Sequence, residues 1–276
     1  MPRFLPVPAL RHALAVGVLI SAGCRRPDEL PPPPLPARLA TVDATSLFHS
    51  QSIGAAVEGS PWIAHVRAVD LDRDGLLDVL VCDAQKNQVA WIRQAAPGQF
   101  EESALATEVP APVHTEAVDL DGDGDLDVLV ASMGEIFPNN DRIGAILVLE
   151  NDGRQHFQKR LIAGRIARVT DVQAGDLDGD GRLDLAVAQF GYDQGEIRWM
   201  KNLGDWRFES RPLLNLSGTV NLCIADLTGD RKPDIVALVS QQWEEVHLFT
   251  NQGAGRFAGK VLFGSYDQNL YCLADD

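Results

Sequence analysis

Past its first residues, this sequence has no apolar run long enough to cross a membrane as a helix, which takes about 20 consecutive apolar residues. No cluster of Lys and Arg stands out along the chain, so nucleic acid finds no electrostatic footprint. There is no Gly-x-Ser-x-Gly elbow, no His-Glu-x-x-His pair and no Gly-rich phosphate loop, and catalysis has little motif support. Cysteine is scarce, at 4 in 276 residues. Cys82, Cys223 and Cys272 are odd in number and sit in or beside apolar runs, which reads as buried free thiols rather than a disulfide framework. Positive charge is short as well: 24 Lys and Arg stand against 39 Asp and Glu, a formal charge of −15.

Much of that acidity lies in one repeated phrase. Asp119-Leu-Asp-Gly-Asp-Gly-Asp-Leu-Asp127 is followed at once by Val128, Leu129 and Val130. Close copies start at Asp70 and Asp176, and a weaker one at Asp226, where Thr228 and Arg231 replace an Asp and a Gly. Carboxylates on alternate residues of a tight loop repel one another unless a cation sits between them. Hard oxygen donors in such number suit Ca²⁺, which takes six to eight at about 2.3–2.6 Å, better than Mg²⁺. Gly75, Gly124 and Gly181, at the sixth place, supply the positive φ of a sharp turn.

The loop is not an EF-hand, because its twelfth residues are Val81, Val130, Val187 and Ala237 rather than Glu. The expected side-chain ligands are positions one, three, five and nine. These are Asp70, Asp72, Asp74 and Asp78; Asp119, Asp121, Asp123 and Asp127; Asp176, Asp178, Asp180 and Asp184; and, in the weaker loop, Asp226, Asp230 and Asp234. The carbonyl of position seven (Leu76, Asp125, Arg182, Lys232) completes each set. Three strong Ca²⁺ sites and one weaker site are expected, and their charge would offset much of the acidity.

The N-terminus carries Arg3, Arg11 and His12, an apolar run Ala13–Ile20, and then Ser21-Ala-Gly-Cys24, the pattern of an export signal over residues 1–23. The ending resembles the bacterial lipobox, which implies lipidation of Cys24; the alternative is an ordinary signal peptide with an incidental Cys. Residues 24–40, with Pro31–Pro34 consecutive, read as a semi-rigid polyproline tether. The expectation is a protein outside the cytoplasm, secreted or lipid-anchored to the bacterial envelope.

Residues 41–276 are self-similar. The loops open at 70, 119, 176 and 226, spacings of 49, 57 and 50 residues. A second landmark follows each one: Gln94…Phe100, Asn151…Phe157, Asn202…Phe208 and Asn251…Phe257. Its Asn-x-Gly turns between apolar runs predict hairpins. The repeat therefore reads strand, metal loop, strand, connector, strand, hairpin, strand: one blade of an all-β propeller. The stretch Asn269–Asp275 echoes Leu222–Asp226, so the start of a fifth repeat, and with it an incomplete propeller, is expected.

These loops and hairpins resemble the FG-GAP/VCBS repeat family, which includes the N-terminal propeller of integrin α-subunits. The resemblance covers about residues 41–276. It implies a Ca²⁺-binding β-propeller and is nearly silent on activity, since members include adhesins and polysaccharide lyases.

Blade topology then separates two faces. The metal loops and hairpins share one. The opposite face collects Phe137, Tyr192 and Trp243 from connectors between second and third strands, and Trp62 just before the first repeat. Five residues before each loop stand His65, His114, Asp171 and Asn221, a polar row near a channel mouth that either meets channel water or forms part of a recognition site. Two functions follow: a tethered scaffold binding a protein or glycan through this face, or a secreted carbohydrate-active enzyme (polysaccharide lyase or hydrolase) using His65, His114 and Asp171 with Arg67.

Overall fold

In each repeat the strands are the short runs rich in β-branched and other apolar residues, and the Asp loops and Asn-x-Gly turns end them. The structure, a computed structural model, describes residues 50–56, 59–241 and 244–265. The leader, Cys24, the tether, Trp243, Cys272 and the Asn269–Asp275 echo lie outside these residues. The described chain forms four antiparallel meanders of four strands each. The first is β1 (Ile63–Val69), β2 (Asp78–Asp83), β3 (Gln88–Ala96) and β4 (Gln99–Ala106). The second is β5 (Pro112–Val118), β6 (Asp127–Ser132), β7 (Gly144–Asn151) and β8 (Phe157–Ile166). The third is β9 (Val169–Gly175), β10 (Asp184–Gln189), β11 (Glu196–Asn202) and β12 (Phe208–Leu214). The fourth is β13 (Thr219–Ala225), β14 (Asp234–Val239), β15 (Glu244–Asn251) and β16 (Phe257–Ser265).

Every metal loop joins the first strand of a blade to the second, and every Asn-Gly turn joins the third to the fourth, as the sequence predicts. Successive side chains on a strand point to opposite faces of its sheet. Val128 and Val130 thus pack on Leu80, Val89 and Trp91 of the first blade. Their neighbours Leu129 and Ala131 meet Leu185, Val187 and Met200 of the third. Ile197 and Trp199 in turn meet Leu222, Ile235 and Phe249 of the fourth. β6, β10 and β14 are buried along their whole length and carry a continuous apolar run after the opening Asp, as strands buried on both faces do, while β12 is mostly exposed. The blades stack side by side in a propeller-like arrangement, with β1, β5, β9 and β13 adjoining in turn along the inner side.

Cys82 is fully buried as a thiol, and burial pushes its pKa up to about 12, while Cys223 is half-buried. At the hairpin of the fourth blade, a Cβ on Gly255 would come within 1.9 Å of the Trp199 ring of the third. Gly255 also has φ +67, whereas Gly229, at φ +75, has open space around it. Gly229→Ala should therefore cost only left-handed backbone strain, about 1–2 kcal/mol. Gly255→Ala should add overpacking of about 1–3 kcal/mol to the same strain. Urea unfolding midpoints at unchanged m-value measure the difference; equal losses would show that Trp199 is not held against this hairpin.

Candidate metal centre

A loop of alternating carboxylates must find donors for its oxygens, and here the backbone provides them. Position one takes the N–H of position six: Asp70 from Gly75 at 2.9 Å, Asp119 from Gly124 at 3.1 Å, Asp176 from Gly181 at 3.0 Å and Asp226 from Arg231 at 2.8 Å. Position five takes the N–H of position seven: Asp74 from Leu76, Asp123 from Asp125, Asp180 from Arg182 and Asp230 from Lys232. The sixth residues have the positive φ expected of them, at +90°, +104° and +87° for Gly75, Gly124 and Gly181. Arg231 holds the same turn at φ +66°, so the fourth loop keeps its shape without glycine at the sixth place, at the cost of backbone strain.

The result is three gathered triplets: Asp70 with Asp72 and Asp74, Asp119 with Asp121 and Asp123, and Asp176 with Asp178 and Asp180. In each, one oxygen per residue lies within 4.8 Å of the others. Two oxygens bound to one Ca²⁺ at about 2.4 Å can be no farther apart than that, so the donors fit a calcium ion in both chemistry and spacing. The fourth loop, with Thr228 at position three, is not among the triplets found in the described residues.

The ninth-position Asp residues are not among the grouped triplets. They are fully buried, and each joins its loop to the neighbouring hairpin. One oxygen of Asp78, Asp127, Asp184 and Asp234 accepts the N–H of Gln94, Asn151, Asn202 and Asn251, at 2.7–2.9 Å. The second oxygen accepts a loop N–H from Leu71, Leu120 or Leu227, or, for Asp184, Trp199 Nε1 at 3.0 Å. The hairpin Asn side chains extend the clamp. Asn202 Nδ2 donates to Leu183 O and to Leu120 O of the preceding blade, and Asn251 Nδ2 to Pro233 O and Leu177 O. Spacing alone marked these Asn as turn formers; their recurrence at one place in three of the four repeats was the available signal for this second role.

Electrostatics differ among the loops. Burial raises Asp127 and Asp184 to about 6, although their backbone donors pull the other way. Burial likewise raises Asp121, with Asp123, Asp119 and Glu150 adding repulsion. Asp180 is lowered by Lys201, and Asp230 by Lys232.

The polar row of the inner strands is continuous. His65 and His114 lie with ring centroids 4.4 Å apart, His114 Nδ1 is 3.2 Å from Asp171, and Asn221 Nδ2 donates to Asp171 at 2.8 Å. These groups also reach backbone on the next blade. Thr115 N donates to His65 Nδ1 at 3.1 Å, and Leu222 N to Asp171 at 2.6 Å. Two residues along, Glu116 accepts Ala174 N and Gln173 accepts Ile224 N. The edge strands of adjacent blades are thus joined through side chains, which covers the edge groups that an isolated sheet would leave open.

On the opposite face, Phe137, Tyr192 and Trp62 are 59%, 48% and 42% exposed. Trp62 meets Phe137 edge to face, with centroids 5.8 Å apart. The connectors beneath are cross-braced: Asn140 bonds Asp193 at 2.6 Å, and the buried Arg168 donates to the Phe137 carbonyl at 3.0 Å. Tyr192 O accepts from Gln241 at 3.1 Å.

A family model described as an FG-GAP-like repeat matches residues 70–130, 119–187 and 176–237. Each match runs from the first Asp of one loop to the twelfth residue of the next. No curated protein matches the chain.

A carboxyl that holds its proton more tightly in the folded chain than in the unfolded one favours folding at low pH. Asp127, at about 6 against 3.8, is such a group. Its contribution in metal-free protein should therefore decline as pH rises between about 4 and 6, then level off. In EGTA, wild type should lose stability relative to Asp127→Asn across that window; a gain would contradict the assignment. Saturating Ca²⁺ should flatten the slope by favouring the ionised form.

Proposed function

The chain belongs to the FG-GAP-like repeat family, and from that premise we propose that it is a Ca²⁺-stabilised propeller scaffold working outside the cytoplasm. In this reading the leader exports it, Cys24 carries a lipid anchor, and residues 24–40 hold the repeats away from the membrane. Its task is to bind a protein or glycan through the face opposite the metal loops.

The observation that carries the binding role is the exposed Trp62–Phe137 pair on a braced connector face. Exposed aromatics on prearranged backbone bind at low entropic cost. The metal role is structural: Ca²⁺ saturates and ionises the Asp clusters, which suits them poorly to proton transfer. Asp70, Asp72 and Asp74, Asp119, Asp121 and Asp123, and Asp176, Asp178 and Asp180 would hold the ions. When bound, the ion supplies charge neutralisation to turns that otherwise repel. His65, His114 and Asp171 are engaged with neighbouring blades, an arrangement that favours the scaffold over the carbohydrate-active enzyme.

Calcium removal should lower the melting temperature, and an unchanged melt in excess EGTA would defeat the structural role. Asp123→Ala should be worse than Asp125→Ala, because position seven offers its carbonyl rather than its side chain.

The binding face is tested on a glycan array. A ligand found there should weaken by well over 1 kcal/mol in the folded Trp62→Ala, Phe137→Ala, Tyr192→Ala triple variant. Unchanged affinity would exclude this face. Turnover of a bound polysaccharide, abolished in a folded His114→Ala variant, would instead establish the enzyme.

A further inference from the structure

The residue just before each hairpin Asn or Gln occupies one register position in all four blades, yet its charge changes. Arg93, Glu150, Lys201 and Thr250 pair across their outer hairpins with Glu101, Gln158, Glu209 and Ala258. In the first blade Arg93 Nε meets Asp72 at 2.5 Å and Nη2 meets Asp74 at 3.5 Å. In the third, Lys201 Nζ bridges Asp178 and Asp180, the latter at 2.9 Å, and Arg182 adds a contact to Asp180 at 2.5 Å. Two of the three carboxylates in each triplet thus already face a cation of the chain itself.

The second blade reverses the sign. Glu150 stands where Arg93 and Lys201 stand, and it contributes to the repulsion that Asp121 feels. Arg160, the nearby cation, is directed to Glu150 at 2.5 Å, and Trp206 Nε1 of the third blade holds the other oxygen at 3.2 Å. Among the described residues, no Lys or Arg forms an ion pair with Asp119, Asp121 or Asp123. Arg73 reaches this loop but donates to the Gly124 carbonyl, not to a carboxylate.

We propose that this register position ranks the cation sites: the second loop, with Glu150 behind it, is the tight Ca²⁺ site, while Arg93 and Lys201 are tethered cations that Ca²⁺ must displace from the first and third. The ranking rests on the metal-binding role proposed above. A divalent ion outcompetes a single ammonium or guanidinium for shared oxygens because its charge is doubled and it takes more donors at once. It must nevertheless break the existing pairs. The two partly exposed ion pairs that Arg93 or Lys201 makes amount to about tenfold in Ca²⁺ affinity.

Calorimetric titration of the EGTA-stripped full chain with Ca²⁺ tests the ranking. Wild type should show one tight step and two steps about tenfold weaker. Lys201→Met should tighten one weak step by about tenfold, and Lys201→Gln, which alters packing differently, should do the same. Glu150→Lys should weaken the tight step by at least about tenfold, and Asp123→Asn should remove that step while leaving the weak ones. Three equal steps in wild type, or an unchanged third site in both folded Lys201 variants, would overturn the ranking and leave metal binding standing. No uptake of Ca²⁺ at any concentration would remove both.

Discussion

Three carboxylates drawn within 4.8 Å of one another repel, and the design of each blade follows from how that repulsion is met. Backbone N–H groups meet part of it: every loop folds back so that positions six and seven donate to positions one and five. Left-handed turns make that geometry possible, chiefly at glycine and in one loop at Arg231. Side-chain cations meet another part in the first and third loops, through Arg93 and Lys201. In the function proposed here, the rest falls to a bound ion. Hydrogen bonds to charged groups are the stronger kind, so a loop built this way is stiff once its charge is balanced.

That stiffness carries from loop to blade and from blade to blade. The ninth Asp ties each loop to its own hairpin, and in the third and fourth blades the hairpin Asn reaches a carbonyl of the preceding loop, Asn202 to Leu120 and Asn251 to Leu177. Along the inner edge a second set of links runs from His65 to Thr115 and from Asp171 to Leu222. Between these rows lie the apolar layers, where β6 and β10 each contribute alternate residues to two interfaces and β14 contributes Ile235, Ala237 and Val239 to one. Polar connections at the rims therefore set the orientation of blades whose contact is otherwise non-directional. The face with Phe137 and Tyr192 lies away from this machinery, where its loops can vary without disturbing the metal turns.

Local chemistry was readable in the sequence wherever one repeat suffices to express it. The strands, the loops, the positive φ at Gly124 and the grouping of Asp119, Asp121 and Asp123 all follow from spacing within a single blade. The clamp made by Asp127, which also stands at an expected ligand position, did not, because it depends on N–H groups of Leu120 and Asn151 that only the fold places around it. His65, His114, Asp171 and Asn221 could be aligned from the sequence, but their reach to the next blade depends on the offset between sheets. Glu150 escaped notice for the opposite reason: it departs from Arg93 and Lys201, and its partners Arg160 and Trp206 come from another strand and another blade. Local periodicity does not encode such departures.

Amide hydrogen exchange with and without Ca²⁺ tests most directly whether balanced loop charge holds the blades together. The amides of Leu120, Gly124 and Asn151, which donate to Asp119 and Asp127, should exchange markedly faster in EGTA. Those of Leu129 and Val130, in the middle of β6, should keep most of their protection. Equal protection of the loop amides in Ca²⁺ and in EGTA would contradict a structural role for the ion.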